Sequence, residues 1–598
     1  MSETASRTAS LGETGLLAIG FVALTAGALV AHNSPASGYE VSLYTATPAT
    51  VWALLGAAFG ISLVVALGTA ATWLRRLSLG LGGGTAMTFV GMPVIRGYWF
   101  ISGGDALTHL GWAHGIKAGG IQPAELRYPG LHTGSILFSR TMGVELTHAM
   151  MLVIVMLFGL FFVFVSISTH LVLEHSYSST IGAFSAFLLL PITTLSTFVS
   201  PHSMSQTILF SAVAVYLFLK YVRSRKPLFS VSGIGAFLAI TSIALVIYHP
   251  QLAAHMLVVL VGISGIQFLY RRSGSVDTIA THRPIYGQTG FLAAAFVTWA
   301  ANHELIRDAA RFHLISTIEY VLSGDGSAGD SVDTRAASLT EIGGSVTEIV
   351  LKLLGPELVF CVLAVVLVVW ALFDERFRRK THGLIIYFAV ALIGLIGLFT
   401  IYFFGSTGQM YFRVFGFSML LVTIMGAVAI VQGVDHLTTD RSSGIVYSLL
   451  VLGFGLLLVA SLIAVFPSPY IYDSSPHVTE QSMSGHELAF ENRDDDVQFV
   501  GIRSGPNRYA DALNQELDRT RTYGSIDGAE IEDGIARQYS EDRYLVVGQP
   551  DRDRELIAYQ QLRYTETQLD SIDSQSGVNR VQSTGEVDVY FVSGERTE

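Results

Sequence analysis

Thirteen apolar segments follow one another between the N-terminus and residue 466, and this pattern constrains the fold more than any other feature of the chain. A helix needs about 20 residues to cross about 30 Å of hydrocarbon, and most of the segments approach or exceed that length. A helix also satisfies its own backbone hydrogen bonds inside lipid. We therefore predict an all-α polytopic membrane bundle over residues 1–466. Its spans are predicted at 16–30, 50–72, 77–98, 147–172, 180–198, 205–222, 229–248, 251–270, 287–302, 347–372, 384–404, 413–434 and 445–466.

The composition agrees with a membrane protein, since 51% of the 598 residues are hydrophobic and only 14% are charged. The one cysteine, Cys361, lies inside an apolar segment. A single cysteine excludes a disulfide framework and a cysteine-based metal site.

Residues 467–598 differ from the rest of the chain and predict a separate globular domain. They hold 26 acidic residues against 12 arginines and no lysine. This excess argues against nucleic-acid binding and is typical of haloarchaeal proteins, in which surface carboxylates stay hydrated in strong salt. The runs RYLVVG and VDVYFV predict strands, whereas YADALNQEL and RELIAYQQL have helical spacing. We therefore predict a small α/β or α+β C-terminal domain.

The distribution of Arg and Lys predicts the orientation in the membrane. If the N-terminus is cytoplasmic, 15 of these residues lie on the inner side, while the short outer loops near 32–48, 198–204 and 405–412 hold none. Thirteen spans then place the loops 99–146 and 303–346 and the C-terminal domain on the external face. The second of these loops contains an amphipathic stretch, LIRDAARFHLISTIEYVL, suited to the membrane surface.

The loop 99–146 is a long polar interruption between spans, which is typical of a functional loop. It holds most of the candidate catalytic and binding side chains, namely Asp105, His109, His114, Glu125, Arg127 and His132.

Asp105 and His109 are four residues apart, a spacing that puts both side chains on one face of a helix. A carboxylate beside a histidine, shielded by Trp99 and Trp112, is suited to act as a general base whose pKa depends on burial. Asp105 also follows two glycines and would cap a helix beginning at Ala106. The two roles are compatible.

This loop resembles the first external loop of the GT-C superfamily, polytopic glycosyltransferases that use a lipid-phosphate sugar as donor. The resemblance is carried by the Asp105–His109 pair, the glycine pair after it and YPGLH (128–132). Shorter motifs agree with it: SPHSMSQ (200–206), YHPQ (248–251) and YFR (411–413). The resemblance implies a GT-C-like fold.

Two branches of the superfamily are similar to different parts of the chain. Thirteen spans and an external C-terminal domain match the layout of the oligosaccharyltransferase branch, and Ser345 to Glu348 resembles its SVSE-type motif, which makes Glu348 a substrate-binding candidate. That branch, however, has an Asp-x-Asp metal site and a WWDYG motif, whereas Asp105 stands alone and no tryptophan follows Trp370. Dolichyl-phosphate-mannose-dependent mannosyltransferases are therefore the better match.

The resemblance implies an inverting transfer of one sugar, best assigned as mannose, from a dolichyl-phosphate donor to a glycan of a surface glycoprotein or lipid. Asp105 would be the base. Tyr411 and Arg413 would meet the phosphate, with Arg96 and Arg127 as reserves. The remaining substrate-binding candidates are His109, His132 and His249. No metal ligand is assigned, because these residues show no tight ligand pattern, although a divalent cation stays open as a cofactor.

Two other functions stay open. A transporter or a lipid-glycan flippase would also have many spans, but such proteins usually carry ionisable residues near mid-membrane and repeated halves. The sequence has few such residues, chiefly His255 and Glu357, and no internal repeat. The third hypothesis is a structural role in an envelope assembly, in which Asp105 only caps the helix that begins at Ala106.

Overall fold

The computed structural model describes residues 11–224, 232–273, 278–323, 330–373, 381–405, 410–438, 443–503, 505–515, 517 and 523–595. Helices dominate up to residue 462. They are α1 (Leu11–His32), α2 (Leu43–Ala46), α3 (Ala49–Gly68), α4 (Thr72–Val90), α5 (Met92–Ile95), α6 (Ala106–Ala118), α7 (Gly130–Met142), α8 (Leu146–Val172), α9 (Ser178–Phe187), α10 (Ser203–Arg223), α11 (Gly233–Tyr248), α12 (Pro250–Arg272), α13 (Thr278–Thr281), α14 (Tyr286–Ala301), α15 (Glu304–Ser323), α16 (Asp330–Glu341), α17 (Val346–Phe373), α18 (His382–Gly405), α19 (Met410–Leu437) and α20 (Ser443–Leu462).

Within the described ranges, nine helices are long and apolar enough to cross a membrane, and the chain is a multi-pass membrane protein. These helices are α1, α3, α8, α10, α12, α17, α18, α19 and α20. The other four predicted spans also fall on helices, α4, α9, α11 and α14. Helices α11 and α14 have 16 residues each, and α9 has 10, so they are shorter than a full bilayer crossing.

The predicted span 180–198 needs a correction. Helix α9 ends at Phe187, and residues 188–202 are irregular. Pro191 has no N–H to continue a helical ladder, and the hydroxyl of Thr197 donates a 2.6 Å hydrogen bond to its carbonyl. Side-chain hydroxyls thus replace part of the lost backbone hydrogen bonding. This irregular segment leads directly to His202, at the start of α10.

The two long loops contain ordered helices. The first holds strand β1 (Phe100–Ile101), then α6 and α7. In the second, the predicted amphipathic stretch forms α15, and one end of this helix reaches the cavity described below.

The C-terminal region contains a five-stranded mixed sheet and short helices. Its elements are β2 (His477–Val478), α21 (Glu480–Glu491), β3 (Gln498–Ile502), α22 (Asn507–Asn514), β4 (Gly524–Ile526), α23 (Gly528–Glu532), β5 (Arg543–Gly548), α24 (Gln549–Asp553), α25 (Glu566–Ser571), β6 (Val578–Ser583) and β7 (Val587–Val592). Strands β4, β3 and β5 are parallel, whereas β7 runs antiparallel between β5 and β6, so the order in the sheet is β4-β3-β5-β7-β6. Alternate residues of these strands form an apolar core, which includes Ile502, Leu545 and Tyr590.

The local predictions for this region are confirmed except in one place. RYLVVG and VDVYFV are strands β5 and β7, and YADALNQEL overlaps α22. The stretch RELIAYQQL is not a regular helix. It forms a π-turn over Arg554–Ala558, and Gln560 and Gln561 then adopt positive φ angles, which ends the helical path.

Candidate active site

Asp105 lies in a tight turn that two glycines make accessible. A side chain at Gly103 would meet the Ser200 hydroxyl at 2.6 Å, and Gly104 has a φ of +66°, in the left-handed region that favours glycine. Asp105 occupies the N-cap position of α6, but its carboxylate makes no capping hydrogen bond to the helix. Its Oδ1 instead lies 3.1 Å from Nε2 of His109, within ion-pair distance. The side chain is therefore directed toward the histidine.

His109 joins this carboxylate to a second buried histidine. Its Nδ1 lies 3.1 Å from Nε2 of His132, and both rings are almost fully buried. The indole of Trp112 packs edge-on against His109, with ring centroids 5.4 Å apart. Trp112 thus covers His109, the partner of Asp105 in the predicted pair, and His132 lies behind His109.

A third histidine reaches Asp105 from another helix. His202 caps α10, since its Nδ1 accepts a hydrogen bond from the backbone N–H of Ser205. Its Nε2 lies 3.7 Å from Asp105 Oδ1. Burial, reinforced by the charge of Arg413 and opposed by Asp105, lowers the pKa of His202 to about 3, so this ring is neutral near pH 7.

The Asp105 carboxylate is ionised in this environment. Burial alone would raise its pKa, but His109 at 3.1 Å, with smaller effects from His202 and Arg508, lowers the pKa below the ordinary carboxyl value. The N-terminus of α6 is a further source of positive potential. An ionised carboxylate is the form that can accept a proton.

Asp105 opens onto a cavity of about 400 Å³ with a mixed lining, whose polar residues we call the polar side and whose apolar residues we call the apolar side. The apolar side is formed by residues of α12, α14 and α15, namely Pro250, Ala254, Phe296, Leu305, Ile306, Ala309 and Ala310. The polar side holds Asp105, His109, Arg127, Tyr128, His202, Ser203, His249, Gln251, Tyr402 and Arg413, next to Met410. A lipid chain and a charged headgroup could both be accommodated.

Arg413 supplies a cation to this cavity. It lies in the first turn of α19 and donates a 3.0 Å hydrogen bond to Oε1 of Gln251 in α12. Among the described residues, no carboxylate lies within ion-pair distance of Arg413. Residues at the N-terminal ends of α6, α10, α12 and α19 all line the cavity, and N-terminal helix ends carry partial positive charge. The polar side is therefore suited to an anion.

Two of the other predicted residues also line the cavity. Arg127 lies 5.6 Å from the ring centroid of Tyr128, which stacks on the imidazole of His249 at 5.1 Å. The structure thus brings Arg127 and His249 together with Asp105 and Arg413.

Six candidate residues do not line the cavity: His114, Glu125, His132, Tyr411, Glu348 and Arg96. Tyr411 is buried among Phe399, Phe403 and Phe412. Glu348 is paired with Lys352 at 2.6 Å and accepts a hydrogen bond from Tyr472, so the SVSE-like motif is engaged elsewhere.

Arg96 forms a buried bidentate pair with Glu40, at 2.5 and 2.7 Å. Arg96 is only 2% exposed, and its guanidinium is already paired with the Glu40 carboxylate. A phosphate-binding role for Arg96 is therefore not supported.

His202, Gln251 and Tyr402 line the cavity, although none of them is a candidate from the sequence alone. His202 lies in the motif SPHSMSQ and Gln251 in YHPQ, and the sequence indicates these motifs without indicating the two residues. Tyr402 lies inside an apolar helix and gave no signal.

No metal ligand set is assigned. Across the residues that the structure describes, no three His, Cys, Asp or Glu side chains converge in metal-binding geometry.

No protein-family model matches the sequence, and no curated protein matches it. Solved structures of similar shape do exist. ArnT from Cupriavidus metallidurans bound to undecaprenyl phosphate has 10% identity and a TM-score of 0.45, covering 89% of this chain and 100% of that one. The apo oligosaccharyltransferase of Archaeoglobus fulgidus has 10% identity and a TM-score of 0.44, covering 82% of this chain and 72% of that one. The form of the same enzyme tethered to an acceptor peptide has 12% identity and a TM-score of 0.45.

Proposed function

We propose that this chain is a GT-C-type membrane glycosyltransferase, which transfers a single mannose from a dolichyl-phosphate donor to a glycan acceptor. One observation carries the proposal: the carboxylate of Asp105 and the guanidinium of Arg413 line the same cavity, and no carboxylate among the described residues lies within ion-pair distance of Arg413.

The donor would lie with its prenyl chain against the apolar side formed by α12, α14 and α15. Its phosphate would meet Arg413, because a guanidinium offers charge-assisted hydrogen bonds to phosphate oxygens. Arg127 is a second cation on the same cavity. The positive helix ends add to this attraction.

In the transfer step, an acceptor hydroxyl oxygen attacks the anomeric carbon and forms the new glycosidic bond. Asp105 takes the hydroxyl proton, and the bond between the anomeric carbon and the phosphate oxygen breaks. Dolichyl phosphate leaves with the bonding electrons, and Arg413 stabilises its charge. A single displacement of this kind inverts the anomeric configuration.

The histidines would hold this arrangement. His109 orients the carboxylate through the 3.1 Å contact of its Nε2 with Oδ1, and His132 fixes His109 from behind. Neutral His202 lies beside the reacting carboxylate and is suited to hydrogen-bond a sugar hydroxyl.

The site would face the cell exterior. The distribution of Arg and Lys favours a cytoplasmic N-terminus and external long loops, so the acceptor would be an exposed glycan of a surface glycoprotein or a lipid carrier.

A lipid-glycan flippase is the second candidate. His255 is fully buried inside α12, and neither of its ring nitrogens has a hydrogen-bond partner among the described residues. An ionisable residue inside a membrane helix is typical of a transport path. We prefer the glycosyltransferase hypothesis because Arg127 and Arg413 line the same cavity as Asp105.

The test is mass spectrometry of surface glycans from cells carrying the native chain, Asp105→Asn, or Glu125→Gln. Glu125 is an exposed acid in the same loop and serves as the matched control. We expect Asp105→Asn glycans to lack one hexose at unchanged protein level. Intact glycans would contradict the proposal, and loss of whole glycans would favour flipping or oligosaccharide transfer.

A further inference from the structure

The C-terminal module, residues 477–595, contacts the first loop on both sides of Asp105. Before Asp105, β1 pairs with β2 of the module, with Phe100 opposite Val478 and Ile101 opposite His477. After Asp105, α22 of the module packs along α6, the helix that carries His109. The turn that holds Asp105 therefore lies between two contacts with the same module.

Glycines bring α6 and α22 unusually close together. A Cβ atom on Gly111 would lie 2.1 Å from the carbonyl oxygen of Asp511, and one on Gly115 would lie 2.9 Å from that of Gln515. Both neighbours are backbone atoms of the module, which cannot rotate away as a flexible side chain would. Any larger residue at position 111 must separate the two helices.

A hydrogen-bond network spans the same contact. The Thr108 hydroxyl donates to Oδ2 of Asp511 at 2.6 Å and accepts from Arg508 at 2.8 Å. Arg508 in turn lies 3.5 Å from Asp511. Thr108 is 1% exposed, so its hydroxyl depends on the module for the acceptor of its proton and for the donor that it accepts from.

Helix α22 is itself anchored within the module. The ring of Tyr509 stacks on His486 of α21, with centroids 3.6 Å apart. The Ser482 hydroxyl donates a 3.0 Å hydrogen bond to the Tyr509 hydroxyl. Asn507 and Tyr523 exchange two hydrogen bonds, of 3.0 and 2.7 Å. Because α21 directly follows β2, the two contacts that flank Asp105 belong to one connected unit.

We propose that the C-terminal module is a positioning clamp for the Asp105 turn, in which Thr108, Arg508 and Asp511 hold α6 against the module. The inference rests on the proposed function, because the clamp acts on the transfer step. A shift of α6 would move Asp105 and His109 together, away from the donor bound near Arg413. A misplacement of about 1 Å costs on the order of 100-fold in rate.

The test compares Gly111→Ala with Gly120→Ala in the purified full-length protein. The Cβ of the control would meet only the Gly115 carbonyl, at 3.8 Å. Transfer is measured with dolichyl-phosphate mannose as donor and with glycans from cells carrying Asp105→Asn as acceptor. We expect kcat to fall by about 10- to 100-fold for Gly111→Ala, with the donor KM changed less than about 2-fold. Gly120→Ala should match the native chain.

A second pair of variants covers the case in which Gly111→Ala does not fold. Thr108→Val removes the hydroxyl at nearly constant volume, and Thr108→Ser keeps it. We expect Thr108→Val to lower kcat at unchanged donor KM, and Thr108→Ser to restore kcat. Native kcat in Thr108→Val, or equal losses in both Thr108 variants, would overturn the clamp.

The outcomes separate this inference from the proposed function. If Asp105→Asn leaves glycans and transfer intact, the transferase assignment fails. If Asp105→Asn abolishes transfer while Gly111→Ala and Thr108→Val keep native kcat, the assignment stands and the clamp alone is rejected.

Discussion

His109 Nε2 lies 3.1 Å from Asp105 Oδ1, and this contact sets the protonation state of the proposed base. Asp105 is largely buried, and burial disfavours the charged carboxylate. The neighbouring histidine opposes this effect and lowers the pKa of the Asp105 carboxyl group. Without it, the same burial would favour the protonated acid.

Replacing His109 with Gln is therefore expected to shift the pH dependence of transfer. The groups that lower the pKa of Asp105 are His109, then His202 and Arg508. Removing His109 raises the pKa of Asp105, so Asp105 becomes protonated at a higher pH than in the native chain. Activity is therefore also lost at a higher pH. We expect the acidic limb of kcat against pH to move upward by about 1 to 3 units. An unchanged limb with a lower plateau would mean that His109 acts only by orientation.

The second prediction separates the two roles of His202. Its Nδ1 caps α10, and its Nε2 faces Asp105 at 3.7 Å. Asn is a good N-cap residue, so His202→Asn should keep the thermal stability that His202→Ala loses, a difference of about 1 kcal/mol. If the Nε2 group matters for transfer, both variants should lose activity, by about 10-fold. Full activity in His202→Asn would limit His202 to capping.

The sequence predicted the helical architecture and the Asp105–His109 pair, because both depend on local patterns. Apolar runs report helices directly, and a spacing of four reports one helix face. The end of α9 at Phe187 was missed because the apolar run continues through Pro191, where the lost N–H stops the helix.

Through-space contacts could not be read from the sequence. Arg413 reaches Gln251 across 162 positions, and Arg508 reaches Thr108 across 400. Neither pair leaves a periodic signal in a single chain. For the same reason, Arg96 and Arg127 looked equivalent as phosphate ligands, although one is paired with Glu40 and the other lines the cavity.

The third prediction concerns Arg96. Its pair with Glu40 is buried, and the hydroxyl of Tyr98 donates to the same carboxylate at 2.5 Å. Arg96→Met leaves a buried charge without its partner and should lower stability by about 3 to 5 kcal/mol. Thermal unfolding of purified protein measures this loss. Transfer per folded molecule should stay close to native, and a selective rise in donor KM would show instead that Arg96 serves the phosphate.

The last prediction tests Arg413 as the phosphate ligand. Arg413→Gln removes the charge but can keep a hydrogen bond to Gln251, whereas Arg413→Lys keeps the charge and loses the planar fork. A hydrogen bond to a charged group contributes about 1.5 to 3 kcal/mol, so Arg413→Gln should weaken inhibition by dolichyl phosphate by about 10- to 100-fold. Arg413→Lys should fall between this variant and the native chain. Arg140→Gln is the control, because Arg140 is exposed at the end of α7 and does not line the cavity. Equal inhibition of all four proteins would exclude Arg413 from the donor site and direct attention to Arg127, the other cation on the cavity.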